Sequence, residues 1–280
     1  MFDAPLSDAD RDALCSGISL HKFYSFSETT IEALSAPYLW FSHIDAFNDP
    51  FEGQFQYVFH PSIDQIIHYE MADEAQELKL RQEYEIDPEG LIERLRPYYI
   101  QQYENAARKD RYAYCCLFSE HTESSSIHVR ALARMWSLYG NGLRGLRVNY
   151  DASTLMQSLG LVRAEPIQYV ESPVAPDILG YLEAERVGHG PRWTHSTYLE
   201  NAQNKHVDWA YESEFRIRSK TSGPMSYSID AIKSVDIGER MPAAQQRVIR
   251  HILLAQNPSI TFNQARVKKH SFNIEITPEQ

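Results

Sequence analysis

The sequence predicts an α+β protein: a curved, largely antiparallel sheet with flanking helices and a helical insertion. Three observations predict it. Short β-rich segments and helical segments follow one another irregularly, without the strand–helix–strand rhythm of a parallel sheet. One stretch, 62–110, switches to helical spacing and high charge density. No internal repeat or low-complexity linker divides the 280 residues. A single domain, 1–280, with 62–110 inserted in it, is therefore expected.

The elements follow from local patterns. Ile18–Phe26 is β-rich and aromatic, a first strand. Ser27 or Thr29 caps a short helix through Thr30–Leu34, and Pro37–Ser42 is a second strand. Within 62–110, Ile63, Ile66, Ile67 and Met71 recur at helical spacing. Asp87-Pro88-Glu89 opens a further helix, with Asp87 as N-cap, and Pro97 should kink or break it. Tyr112–Phe118 is a strand, and Ser124–Ser126 caps a helix through Val129–Tyr139 that ends at Gly140 and Gly142. Gly145–Tyr150 returns as a strand, with Asp151 opening a short helix. Pro166–Val170 is another strand, followed by helices near Ile178–Arg186 and Trp193–Lys205. Glu212–Arg218 alternates charged and apolar residues, as a strand with one buried face does. Ser234–Ile237, a helix over Pro242–Leu254 and two terminal strands complete the chain.

Composition narrows the function classes. Hydrophobic residues make up 43% and charged residues 23%, an ordinary globular balance. Tyr outnumbers Phe, 17 to 12, so many rings keep a polar tip near water or a ligand. The net charge of −11, from 38 acidic and 27 basic residues, repels a phosphate backbone. Broad nucleic-acid binding is not expected, and the short basic stretches Arg144–Arg147 and Lys268–Lys269 read as solvated strand ends. The cysteines Cys15, Cys115 and Cys116 are few and odd in number, and the adjacent pair is badly placed for a disulfide. No basic segment leading into an apolar core follows Met1, and no apolar run reaches the length of a membrane span. A cytoplasmic protein without membrane partners is the expectation.

Common site signatures are missing. The sequence holds no G-x-x-x-x-G-K-[ST], no C-x-x-C, no H-E-x-x-H and no G-x-S-x-G. No metal site is assigned. Three stretches remain. In Phe47-Asn48-Asp49-Pro50-Phe51-Glu52-Gly53, Asn48, Asp49 and Pro50 build a rigid turn, with Phe47 and Phe51 pinning it to the core. Glu52 is then either solvated or catalytic. In Met135-Trp136-Ser137-Leu138-Tyr139-Gly140, Met135 faces the core, while Trp136 and Tyr139 either pack beside it or line a pocket for a flat ligand. Ser126 and Ser137 lack a recognisable base, so neither is a nucleophile. In Trp209-Ala210-Tyr211-Glu212-Ser213-Glu214-Phe215-Arg216, a strand sets Glu212, Glu214 and Arg216 on one face. Arg216 then either holds one carboxylate and frees the other, or belongs to a salt-bridged, solvent-facing strand.

These stretches, in this order, resemble the bacterial family known as domain of unknown function 2971. The resemblance rests on the aromatic-basic strand Leu20–Phe26, on Leu39–Gly53, on Cys116–Gly145, on Lys205–Arg216 and on the strand Ile232–Gly238. It spans roughly residues 18 to 275. The chain has Leu138 where members often carry His, and Tyr24 where they often carry Arg.

In outline the chain also resembles ADP-ribosyltransferases, with a basic residue in the first strand, an aromatic-x-Ser second strand and a late E-x-E. The matching positions are His21 or Lys22, Trp40 with Ser42, and Glu212-x-Glu214. The resemblance implies NAD as substrate, with no other cofactor, and is compatible with a role in stress or phage defence. Glu214 and Lys22 would be catalytic, Glu212 would orient an acceptor, and Tyr24, Trp40 or Trp136 would sandwich the nicotinamide ring. This is an analogy of pattern. Two other readings stay open. One is a metal-dependent nuclease or phosphate-acting enzyme with Asp49, Glu52, Glu212 and Glu214 converging on magnesium. The other is a regulatory module that meets a protein partner through 62–110.

Overall fold

The structure, a computed structural model, describes residues 18–49, 51–52, 58–107, 112–121, 126–160, 163–173, 175–186 and 203–279. In chain order its strands are β1 (Ile18–Tyr24), β2 (Tyr38–His43), β3 (Ala113–His121), β4 (Leu146–Asp151), β5 (Arg163–Pro166), β6 (Gln168–Val170), β7 (Asn204–His206), β8 (Glu214–Ser219), β9 (Gly223–Ser226), β10 (Ile232–Gly238), β11 (Thr261–Val267) and β12 (Ile274–Pro278). Its helices are α1 (Glu28–Ser35), α2 (Ile63–Glu70), α3 (Glu74–Ile86), α4 (Pro88–Ala107), α5 (Ser126–Leu138), α6 (Ala152–Leu159), α7 (Ile178–Arg186) and α8 (Ala243–Gln256). The chain divides into two units. The larger takes its described residues from 18–46, 112–169 and 207–279, the smaller from 47–107 and 170–206.

The larger unit is built on a ten-stranded sheet. From one edge it runs β12-β11-β10-β4-β1-β3, and β3 is flanked further by β2 and β8. Among the described pairs of this sheet, only β10–β11 is parallel. The α+β class and the largely antiparallel sheet are thus borne out. β1 and β3 pair over Ile18–His21 only; beyond that point the start of β3 pairs with β2. Lys22 lies at this fork, its Nζ donating to the Cys116 carbonyl at 3.1 Å.

One face of the sheet is apolar for a simple reason of period. Leu20, Leu117, Val148, Phe215, Ile217, Val235 and Ile237 occupy alternate positions of their strands and are all buried. Leu34 of α1, Leu155 and Met156 of α6, and Ile249 and Leu253 of α8 cover them. Each such side chain contributes roughly 1.5–3 kcal/mol by burial. Two glycines of the recognised motifs are explained by close approach: a Cβ on Gly145 would lie 2.2 Å from the Tyr24 carbonyl oxygen, and one on Gly238 2.2 Å from that of Leu143.

Caps set the helix starts. Ser27 Oγ accepts from the Thr30 N–H at 3.2 Å, which settles the alternative of Ser27 or Thr29. Asp151 accepts from the Thr154 N–H at 2.9 Å and from its hydroxyl at 2.8 Å, and Lys233 Nζ is 2.8 Å from its other oxygen. The Lys233 hydrogen bond, with the Thr154 N–H behind it, pulls the Asp151 carboxyl down to about 2. A carboxylate depressed in the fold stabilises above its unfolded pKa of about 3.9 and loses that contribution as pH falls toward its folded value. Asp151→Ala is therefore expected to lower stability by about 1–2 kcal/mol at neutral pH, with the gap to wild type closing in acid. Urea unfolding at pH 7 and at pH 2.5 measures both.

The smaller unit contains α2, α3, α4 and α7. Ser62 with Gln65, and Asp73 with Gln76, form reciprocal capping boxes at α2 and α3. Asp87 accepts from the Gly90 N–H at 2.9 Å, as an N-cap should. Pro97 does not break α4, which runs unbroken from Pro88 to Ala107. A helix-interior proline costs about 3 kcal/mol, yet Ile92, Tyr99 and Tyr103 of the same helix are buried with Phe59, Ile66, Ile178 and Leu182. Their burial outweighs the lost hydrogen bond. Exposed apolar residues are Leu78, Ile86 and Tyr98 on these helices and Met71 at the C-cap of α2.

Other expectations shift. Pro166–Val170 is split into β5 and β6, and the end of the expected 193–205 helix is β7, the rest lying outside the described residues. The cap at Ser124–Ser126 also lies outside the described side chains. Among the described residues no helix is long and apolar enough to cross a membrane.

Candidate functional site

The second face of the sheet in the larger unit carries charge, and that charge is out of water. His21, Arg147, Glu214, Arg216 and Asp236 are 0–6% exposed. Ionised groups so buried persist only when they are partnered. Arg147 Nε donates to Asp236 Oδ2 at 2.6 Å, and Asn263 Nδ2 to its other oxygen at 2.7 Å. Arg147, expected as a solvated strand end, is thus a core ion pair.

Strand register arranges a row. Ser234 stands opposite Asn149, Asn149 opposite His21, His21 opposite Phe118, and Phe118 opposite Glu214. Cross-strand partners share a face, so the row crosses β10, β4, β1, β3 and β8 on the charged side. His21 and Glu214 stand two strand spacings apart, about 10 Å across the sheet. Phe118 lies between them, its ring centroid 5.7 Å from that of His21.

Glu214 is held by its backbone as well as its side chain. Ser213, immediately before it, adopts φ 42°, and its carbonyl accepts from both the N–H and the hydroxyl of Ser119, at 2.9 and 2.7 Å. The Glu214 N–H donates to the Tyr169 hydroxyl at 2.8 Å, and its carbonyl accepts from the Ile167 N–H at 2.9 Å. Its carboxylate meets Arg216 at two points, Nε–Oε1 2.5 Å and Nη2–Oε2 3.4 Å. The fork geometry adds direction to the charge pairing.

Glu212 corrects the strand expectation. It ends a 3-10 turn, Val207–Glu212, and the left-handed Ser213 separates that turn from β8. Glu212 is therefore not the next residue of one alternating row with Glu214 and Arg216. It is buried, and the Tyr139 hydroxyl donates to its Oε1 at 2.5 Å. The Arg134 guanidinium stacks 5.0 Å from the Tyr211 ring centroid, tying α5 to the same turn. β8 is buried on both faces, not solvent-facing on one.

The remaining candidates fall elsewhere. Lys22 and Tyr24 belong to the apolar side of β1; the Tyr24 hydroxyl lies 3.3 Å from that of Tyr150, and burial holds it well above the ordinary tyrosine pKa. Trp40 is 57% exposed on β2, opposite Pro224, and Ser42 stands opposite Tyr114. Trp136 is 1% exposed and packs edge-on against Phe23 at 5.3 Å, in a cluster with Leu143 and Ala265. In the smaller unit, Asn48 is exposed and Asp49 Oδ1 accepts from the Phe51 N–H at 2.9 Å, the expected rigid turn. Phe51 is 72% exposed and does not pin that turn. Glu52 is neither solvated nor presented: its side chain is 2% exposed and pairs with Lys205 at 3.4 Å.

Two cysteines adjoin the site. Burial, and then the Glu214 charge, push the Cys116 thiol well above its usual pKa. Burial likewise raises Cys115, against the pull of Lys22. Both stay protonated and are poor nucleophiles. Among the described residues no group of three or more His, Cys, Asp and Glu is placed to hold a metal ion. Sequence reasoning missed Asn149, Ser234, Ser119 and Tyr169. Asn149 left a signal, since it alternates with Val148 and Tyr150 in a strand whose apolar face they occupy; Tyr169 left none.

The larger unit is thus an α+β scaffold with a partnered, water-excluded polar row on one sheet face. The model of one family, Protein of unknown function (DUF2971), matches residues 135–217. That match bears out the family resemblance, and it spans Tyr139, Glu212, Glu214 and Arg216. No curated protein and no solved structure matches the chain.

Proposed function

We propose that the row around Glu214 is the site of an NAD-consuming enzyme of the ADP-ribosyltransferase kind. The observation that carries the proposal is the fixing of Glu214: a buried carboxylate gripped at two points by Arg216, with both backbone polar groups hydrogen-bonded. In such a reaction the bond from ribose to nicotinamide breaks, and its electron pair leaves with the neutral ring. Positive charge grows on the ribose carbon until an acceptor oxygen bonds there and loses its proton. A fixed anion at that point stabilises the transition state and needs no reorganisation. Arg216 keeps Glu214 ionised and aimed. Glu212, tethered by Tyr139, orients the acceptor. An enzyme that depletes NAD suits a role in stress or phage defence.

The test is nicotinamide release from NAD by the purified full chain, followed by chromatography, beside NAD binding by calorimetry. Release supports the proposal. Protein that neither consumes nor binds NAD in the presence of a cell extract, which supplies acceptors, would sink it.

A further inference from the structure

Helices α2, α3 and α4 of the smaller unit line a cavity of about 380 Å³, a volume within the range of small-molecule sites. Its middle is apolar, with Ile66 from α2, Leu80 from α3 and Leu95 from α4. Its two ends differ in charge.

One end lies at the turn from α2 to α3, where Glu70 meets Tyr98 and Tyr99 of α4. The Tyr99 hydroxyl donates to Glu70 Oε1. Burial, and then Glu70, hold the Tyr99 phenol above the ordinary tyrosine range, so it donates as a neutral group. Glu70 is exposed, and among the described residues no lysine or arginine pairs with it. Its negative charge therefore stands uncompensated at the cavity wall. Tyr98 is 51% exposed, its ring centroid 5.2 Å from that of Tyr99. A carboxylate beside an open aromatic ring is complementary to a cation.

The other end lies toward the turn from α3 to α4. There Arg94 Nη2 donates to Glu83 Oε2 at 2.6 Å, and Lys79 stands one helical turn before Glu83. The Arg94 hydrogen bond, with Lys79 at longer range, holds the Glu83 carboxyl below its usual range. Two cations against one carboxylate leave this end positive.

We infer that this cavity binds an organic monocation, an amine whose ammonium meets Glu70 and Tyr98 and whose aryl or alkyl body lies on Ile66, Leu80 and Leu95. A linear polyamine would drive its second ammonium toward Lys79 and Arg94. The competing ligand is an anion with the same body, its carboxylate at Lys79. Glu83 already occupies that end, and the surrounding segment 62–107 holds 11 acidic and 4 basic residues, a field that attracts cations and repels anions. Every residue of the site belongs to the smaller unit, so the inference stands apart from the proposed reaction.

Calorimetry of the full chain at physiological salt tests it with three probes: phenethylamine, phenylpropionate and spermidine. Phenethylamine is expected to bind about tenfold more tightly than either of the others, the combined scale of an exposed ion pair and a cation–π contact. Glu70→Gln keeps an acceptor for the Tyr99 hydroxyl and removes the charge; it should weaken phenethylamine about fivefold, the upper range for an exposed pair. Adding Tyr98→Ala should weaken it further. Glu85→Gln, which neutralises an exposed carboxylate of α3 outside the cavity, should leave binding unchanged and so reports any unspecific attraction to the acidic helices. Absence of phenethylamine binding, equal binding of phenylpropionate or spermidine, or equal weakening by Glu70→Gln and Glu85→Gln overturns the inference. Phenethylamine binding with this pattern in a protein that ignores NAD supports the cavity and removes only the proposed reaction.

Discussion

Replacing Asp236 with alanine is expected to destabilise the fold by about 3–5 kcal/mol, the typical cost of breaking a buried ion pair by removing one member. The Asp236 side chain is 0% exposed and that of Arg147 7%, so water cannot take over the lost contact. The variant also deprives Asn263 of its acceptor, and an unsatisfied buried amide adds its own desolvation cost. The stacking of Arg147 against Phe23, 6.0 Å from the ring centroid, is too weak to compensate. Removing both charges, as Arg147→Met with Asp236→Leu, should recover most of the loss, because a well-packed apolar pair is often as stable as a buried ion pair. Urea midpoints for the two variants measure this, provided the slope of the transition is unchanged. A loss below about 1 kcal/mol in Asp236→Ala would place the pair with ordinary surface bridges and contradict the burial.

Glu214→Gln is expected to lower NAD turnover at least about 100-fold, the scale on which a preorganised electrostatic group contributes to a transition state. The substitution keeps shape and removes charge. It also leaves Arg216, 3% exposed, facing a neutral amide, so stability should fall as well. Arg216→Met separates the two effects: it spares the carboxylate and breaks the same pair. Rates are compared per folded molecule, at a temperature where unfolding curves show each variant native. A Glu214→Gln protein turning NAD over at the wild-type rate would remove Glu214 from the chemistry, while equal losses in the two variants would make the ion pair, not the anion alone, the functional unit.

Local rules carried the sequence reading a long way. Ser27, Asp87 and Asp151 cap helices as their residue types and positions imply, and the apolar positions of β1, β4 and β10 fall on one sheet face. What stayed hidden was non-local. Whether Pro97 ends a helix depends on what the rest of that helix buries, and Tyr99 and Tyr103 decide it through partners distant in sequence. Reading Glu212 and Glu214 as one alternating row failed at Ser213, whose left-handed backbone is secured by Ser119, 94 residues away. Alternation alone cannot announce such a break. The burial of Glu52 was equally illegible, because Lys205 is far along the chain. Glu214 and Arg216 were legible as residues, whereas their register with His21 and Asn149 required the pairing of strands.

The register has a consequence for synthesis. The row is assembled from positions 21, 118, 149, 214 and 234, and the carboxylate and the final hydroxyl come last. A nascent chain that has already released β1, β3 and β4 from the ribosome holds His21 and Asn149 but not Glu214. Truncated products and abandoned translation intermediates lack the complete row, which exists only in chains translated through Ser234.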